Sequence, residues 1–447
     1  MRSSRALKWP AILLAMVAVA ACTASTEDNQ EPAAKSAHDP VTLNIWTFYT
    51  GRELDVFKTA LGGLQDKAPW ITVKVTGGKE LTDIQRAISS GTAPDVAMEV
   101  GPDDIAKYGA SGAWIDLNPY IKLDKLDMSK IILPSALSYT ASGDKQVALP
   151  LLTDAYGLYY NQEMFRQAGI TGPPKTYSEL FADAKKLTQL NPDGSIKVAG
   201  FVPLSNFYET PQLDQGVWSD ADWYTSDGSS ALATDPAWTD LVSYQKEMVD
   251  YFGFDNLTKF FSELGGPNSE WTASQAFEQG KIAMALDGEW RVAMIEANKS
   301  NIPYATAPFP VADTISDRYG LGQIGGTIVG IPRGTAHPAD SWEAVKYLAT
   351  NTDAVTTLAR GIKNVPTTFA SLRDPVLNQD KNFKVFMRIY SNPGSRYKQV
   401  TTLGTADVDL FTQWLSKYLA GNYGGSIQDG LSSVADQIDS QAQLGGG

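Results

Sequence analysis

Few residues of this chain could carry out bond chemistry. Among 447 residues there is one cysteine, Cys22, and two histidines, His38 and His337. That count excludes a disulfide scaffold and a Cys/His zinc site, and no metal or cofactor is expected. Residues 320–325 (GLGQIG) satisfy G-x-G-x-x-G, which holds a pyrophosphate where it follows a strand and opens a helix. Here it precedes a strand-like run at 327–331, so a dinucleotide site is rejected. Residues 142–145 and 395–398 satisfy S-x-x-K, yet the S-D-N and K-T-G companions of penicillin-binding enzymes are absent. Neither G-x-S-x-G nor a Walker A loop occurs. Asp220, Asp222 and Asp227 form an acidic turn without EF-hand spacing, which reads as a solvated loop. His337, between Ala336 and Pro338, also reads as loop.

The elements that must position any site begin with an export signal. Arg2, Arg5 and Lys8 precede an apolar run at 11–21, too short for a span of about 20 residues. Residues 1–21 therefore read as a signal peptide. Cys22 follows Val19-Ala20-Ala21 and resembles the cysteine of the bacterial lipobox, which becomes the lipidated first residue of the mature chain. Residues 22–40 lack aromatic and β-branched aliphatic residues and read as a flexible tether that includes His38. The expected location is the outer face of the cell membrane, held by lipid alone. Hydrophobic residues make up 43% and the net charge is −13, which supports a sizeable core and disfavours nucleic acid as a partner. At this length, two domains are expected.

Strand-rich 41–48, helical 53–67, alternating 71–75, helical 81–89 and a short strand at 97–100 follow one another. Such alternation argues for a mostly parallel α/β sheet. Helical spacing recurs at 176–190 and 236–252, strand-like runs at 302–309 and 327–331, and helices at 339–349, 383–390 and 408–418. The C-terminal GGG reads as a frayed end. No internal repeat is present. Two lobes with several chain crossings explain the alternation of α/β and helix-rich thirds.

The stretch 147–187, VALPLLTDAYGLYYNQEMFRQAGITGPPKTYSELFADAKKL, resembles the central signature of the solute-binding proteins of bacterial ABC importers, the maltose-binding-protein-like group. TLNIWTFYTG, SSGTAPDVAMEVGPDDIAKYGASGAWIDL, AFEQGKIAMALDGEW, APFP, GGTIVGIP with SWEAVKYLA, and NVPTT match in the same order. The resemblance implies an α/β two-lobe fold of the periplasmic-binding-protein type II, hinged, with ligand in the central cleft. One lobe would be 41–152 plus 326–364, the other 153–325 plus 365–447, with crossings at 149–152, 324–327 and 364–367.

The group's roles carry over where the motifs match. Trp46, Phe48 and Tyr49 fall on the first ligand loop, and Asp103 where a carboxylate often meets sugar hydroxyls. Asp154 falls at the crossover and Trp290 on the group's stacking tryptophan. Gly325 and Gly326 match a turn that lets backbone approach ligand, and Arg396 is a candidate from the helical tail. Phe207 and Tyr208 complete the ligand-binding set. Asp103 and Asp154 can also be solvated-surface or helix-cap residues. A sugar presents an apolar C–H face and hydroxyl edges, so it is held by flat aromatics and fixed carboxylates. The chain is 10% aromatic, and most of those rings must be core. The implied function is capture of a mono- to small oligosaccharide by a monomeric lipoprotein for delivery to ABC permease subunits, without catalysis. Its rival is an exported glycoside hydrolase, which needs two carboxyl groups roughly 5–10 Å apart around one bond. An adhesin is disfavoured by the lack of repeats.

Overall fold

The computed structural model describes residues 38–445. The expected signal peptide and Cys22 lie outside them, as does most of the expected tether. Its described end is not free: His38 stacks on Trp70 with ring centroids 3.7 Å apart and 13° between planes, and its Nδ1 lies 3.7 Å from Asp340. Aromatic stacking thus corrects the reading of His38 as tether. Among the described residues, no helix is long and apolar enough to cross a membrane.

Two sheets organise the chain. In the first, Ile71–Thr76, Val41–Trp46 and Val96–Glu99 run parallel, followed by Ile328–Gly330 and Ala148–Pro150. Ile328–Gly330 is antiparallel to both of its neighbours. In the second, the ten-residue strand Leu152–Asn161 is flanked by Met284–Gly288 and Tyr304–Pro308, both antiparallel to it. In the first sheet four strands thus share one direction, Ala148–Pro150 included, and only Ile328–Gly330, which arrives after the excursion into the opposite lobe, runs in reverse. The second sheet is antiparallel around its long strand.

Helices start and stop where side chains dictate. Asp235 caps Pro236–Phe252 through the Ala237 N–H at 3.0 Å, and Gly253 at φ +81° ends it. Thr176 caps Tyr177–Leu187 through the Glu179 N–H at 3.3 Å. That helix stops three residues short of its expected end, because Gln189–Leu190 pairs with Ile196–Val198. The expected helix at 53–67 is two, Gly51–Leu61 and Leu64–Lys67, because the Tyr347 hydroxyl donates to Ala60 O and fills the space a Cβ would need at Gly63.

Burial follows the two lobes. One core gathers Leu43, Ile45, Phe57, Val96, Leu149, Val329 and Leu348, and continues through Tyr159, Phe386 and Tyr390 beneath the crossing strands. The other gathers Phe181, Phe201, Trp218, Trp238, Phe309 and Phe411. The helix Ile427–Gly445, absent from the sequence reading, closes the second core with Leu431, Val434, Ala435 and Ile438. It also takes in Gly445, the first residue of the supposedly frayed end. Gly430 lets Trp414 lie flat against this helix, since its indole occupies the space a Cβ would need.

Candidate ligand-binding cleft

Three chain segments meet between the sheets. Thr153 and Leu152 pair with Val365 and Pro366, and Asp154 pairs with Gly325. Leu151 N–H donates to Thr327 O at 2.8 Å, and the Thr367 hydroxyl to Leu151 O at 3.1 Å. Asp154 sits at this junction, where the Asn364 amide donates to its Oδ1 at 2.6 Å and to Glu289 Oε1 at 2.8 Å. Glu289, fully buried, also accepts the Ala155 N–H at 2.8 Å. Burial pushes the Asp154 carboxyl up to about 6, and burial beside Asp154 pushes Glu289 well above the carboxylate range. Two carboxyls this close cannot both ionise cheaply, so the pair holds a proton.

The glycines of this junction have a packing reason. Gly326, at φ +129°, leaves 2.7–2.8 Å between a would-be Cβ and the backbone of Leu152, Thr153 and Asp154, and the ring of Tyr397 fills the corresponding space at Gly325, 3.1 Å away. The chain itself approaches both residues closely.

On the first lobe, Phe48 and Asp103 line a cavity of about 250 Å³ with Lys79, Glu80, Leu81 and Glu99. Leu81 and Val100 leave apolar surface exposed on its rim. Trp46 lies beside it, half-buried, with the Lys79 ammonium 4.6 Å from its ring centre. Tyr49 turns inward instead: it is buried, 3.5 Å from the Thr327 hydroxyl. Asp103 accepts a hydrogen bond from Tyr397, which joins this loop to the segment ahead of Ala406–Leu419. Glu99 is buried, accepts from the Tyr108 hydroxyl and is pushed by burial up to about 8.

On the second lobe, Trp290 opens the helix Trp290–Ala297, half-buried. Tyr156 meets it edge-on with centroids 5.5 Å apart. One face of its ring covers Gly288, where any Cβ would collide with it, so the Gly-Glu-Trp order fixes where the indole lies. Phe207 and Tyr208 are packed into the second core: Phe207 meets Phe261 at 4.7 Å, and the Tyr208 hydroxyl lies 2.8 Å from that of Ser269. Tyr208 adopts φ +43°, a left-handed conformation that costs a non-glycine residue energy and turns the chain at Glu209. Arg396 is engaged by the acidic turn: it bonds Asp220 at 2.6 Å and Ala221 O at 3.2 Å, with Asp222 at 3.8 Å.

The structure thus brings Phe48 and Asp103 together in one cavity with Trp46 close by, sets Asp154 at the crossing strands, and seats Trp290 against Gly288 and Tyr156. It places Tyr49, Phe207, Tyr208 and Arg396 in packing or ion-pair roles. Sequence reasoning missed Glu99, which lines the cavity, and Glu289, Asn364 and Tyr397, which bond Asp154 or Asp103 or join them. Glu289 and Asn364 lie inside motifs already singled out, GEW and NVPTT, and Tyr397 is the neighbour of Arg396. Among the described residues, no group of three or more His, Cys, Asp or Glu could hold a metal ion.

Residues 55–355 match the profile of the bacterial extracellular solute-binding protein family. The diacetylchitobiose binding protein DasA of Streptomyces coelicolor is 26% identical over 316 residues, 67% of this chain and 68% of its own. A maltooligosaccharide ABC transporter solute-binding lipoprotein of Streptococcus pneumoniae is 25% identical over 318 residues, 68% of this chain and 69% of its own. A solved structure of CpMnBP1 with mannotriose bound superposes with TM-score 0.74 at 23% identity, covering 89% of this chain and 99% of that one. The matched profile spans most of the chain, and its two cores, three crossings and central junction are the two-lobe fold of such proteins: the chain belongs to the bacterial extracellular solute-binding protein family.

Proposed function

We propose that this protein captures a carbohydrate between its lobes and delivers it to the permease of an ABC importer, as a lipoprotein acylated at Cys22. The observation that carries the reading is Trp290, a half-buried indole seated against Gly288 on one lobe, while Phe48 and Asp103 line a cavity on the other. One wall offers a flat apolar platform and the other offers acceptors for hydroxyl hydrogens, which is the complement of a sugar ring. The sugar ligands in the names of the relatives agree with that chemistry. The lobes are 41–152 plus 326–364 and 153–325 plus 365–447. A ligand touching both walls has higher affinity for the closed arrangement and shifts the hinge toward it, which a permease can read.

No bond is broken in this reading. Asp154 and Glu289 share a single amide donor and a proton, and Glu289 is fully buried, so the pair does not flank a gap that could hold a glycosidic bond. A thermal-shift screen against mono- and oligosaccharides tests the function, because a ligand of the native state raises its melting point. Trp290→Ala is expected to weaken binding by more than tenfold with the fold intact. Wild-type affinity in that variant by calorimetry removes Trp290 from the site, and release of chromophore from a glycoside panel would favour the hydrolase.

A further inference from the structure

A hydrogen bond joins the two lobes away from the paired strands of the crossings. Asp103 belongs to the first lobe, on the loop between Val96–Glu99 and the helix Ile105–Ser111, and it accepts from the Tyr397 hydroxyl. Tyr397 belongs to the second lobe, because its neighbours along the chain are fastened there. Ser395 Oγ accepts the Gly322 N–H at 2.9 Å. The Arg396 N–H donates to Gly322 O and its carbonyl accepts from the Ile324 N–H, both at 3.2 Å, while its side chain holds Asp220. Lys398 is buried, donates to Gly404 O at 2.9 Å and pairs with Asp407 at 3.1 Å. Asp407 is buried as well and accepts from the Tyr224 hydroxyl at 2.6 Å.

Residues 395–404 thus form a strap that is anchored on the second lobe and reaches the first. Tyr397 and Val400 pack against the first core, and Leu403 against the second. The Tyr397 ring meets that of Tyr139 with centroids 6.0 Å apart, at 61°. Farther along, Gly404 lies against the ion pair of Asp104 and Lys107, where a Cβ would stand 2.5 Å from Lys107 Nζ and 3.1 Å from Asp104 Oδ1. The strap therefore touches one loop and helix of the first lobe at two places, residues 397 and 404.

Contacts of this kind break when the lobes part, whereas the hinge strands keep their pairing. A hydroxyl on a carboxylate makes a charge-assisted bond, stronger than a neutral one, and the carboxylate keeps lone pairs for further donors. With its role in capture resting on the sugar-binding reading, we infer that residues 395–404 are a lobe-to-lobe latch whose catch is the Tyr397 hydroxyl on Asp103. The latch stabilises the closed arrangement and slows escape of the bound sugar. Tyr397 is a positioning residue: it fixes the Asp103 carboxylate, which still has room to accept from the guest. Because the latch acts on the lobes rather than on the guest, its loss also opens the sugar-free protein.

Small-angle scattering and stopped-flow binding on the full-length protein test this, with maltotriose, mannotriose and diacetylchitobiose as probes. Without sugar, Tyr397→Phe is expected to have a radius of gyration larger than wild type by about 0.5 Å, on the scale of a compact molecule of this size. Asp103→Ala removes the same bond from its other side and should give the same increase, with the double variant showing no more than either alone. For a sugar that binds, Tyr397→Phe should release it about tenfold faster, the order expected for losing a bond to a charged acceptor, with association within about twofold of wild type. Melting points without sugar report that the variants fold. An unchanged radius without sugar, additive increases in the double variant, or a wild-type release rate overturns the latch and leaves sugar capture standing. Absence of binding by every sugar overturns the sugar-binding reading, and the radii then decide the latch by themselves.

Discussion

At the scale of the residue, a half-buried and a fully buried group show how environment sets chemistry. Trp290 has its place because Gly288 has no side chain, and its indole fills the space a Cβ would need there. Asp214 is the contrasting case. It is fully buried in the second core near Ser205, Gln245 and Thr412, and desolvation pushes its carboxyl up to about 7. The folded state keeps a proton that the unfolded chain releases near pH 4, so this group's contribution to stability falls as pH rises from about 4 to about 7. Asp214→Asn removes that slope. Its melting point is expected to match wild type near pH 4 and to exceed it by a few degrees at pH 8, measured by differential scanning calorimetry. A parallel offset at both pH values would assign the effect to packing instead.

At the scale of the element, the short strands at the crossings hold the site. Residues 324–325 and 365–366 contribute only two ladder residues each, and the side chains of Thr153, Thr367 and Asn364 supply further bonds. Asn364→Ala leaves Asp154 and Glu289 without their shared donor, and unmet buried acceptors cost about 1–3 kcal/mol. We expect a lower melting point and a weaker sugar affinity together, with partial recovery as pH falls through about 6, where Asp154 takes up a proton beside a Glu289 that already holds one. A variant that loses affinity at unchanged stability would mean that Asn364 touches ligand. Strong periodicity made some elements legible in advance: Pro236–Phe252 and Phe383–Tyr390 lie at their expected bounds. Ile427–Gly445 was not legible, because Ser, Gln, Gly and Asp dilute its apolar stripe and only the facing helices show which side is buried.

At the scale of the whole molecule, the two cores are joined through narrow strands, the geometry that permits rigid-body closure. Ligand that spans the cleft should shrink the molecule. Small-angle scattering is expected to give a radius of gyration smaller by about 1 Å with a saturating disaccharide than without, a change of order set by compact domains of this size. An unchanged radius at saturation would mean that the lobes do not move on binding.

The sequence by itself determined the class of this protein, through an ordered series of motifs in an aromatic-rich and acidic body. It also named Trp290, Asp103 and Asp154, because each belongs to a local motif that a linear reading can find. Only the tertiary structure decided what each candidate packs against. Tyr49, Phe207 and Tyr208 turned to packing and Arg396 to Asp220, while Glu289, Asn364 and Tyr397 reached Asp154 and Asp103 from segments up to hundreds of residues away. The reason is physical: a motif records which residues are neighbours along the chain, whereas burial, shared protons and ring contacts arise between segments that only folding brings together.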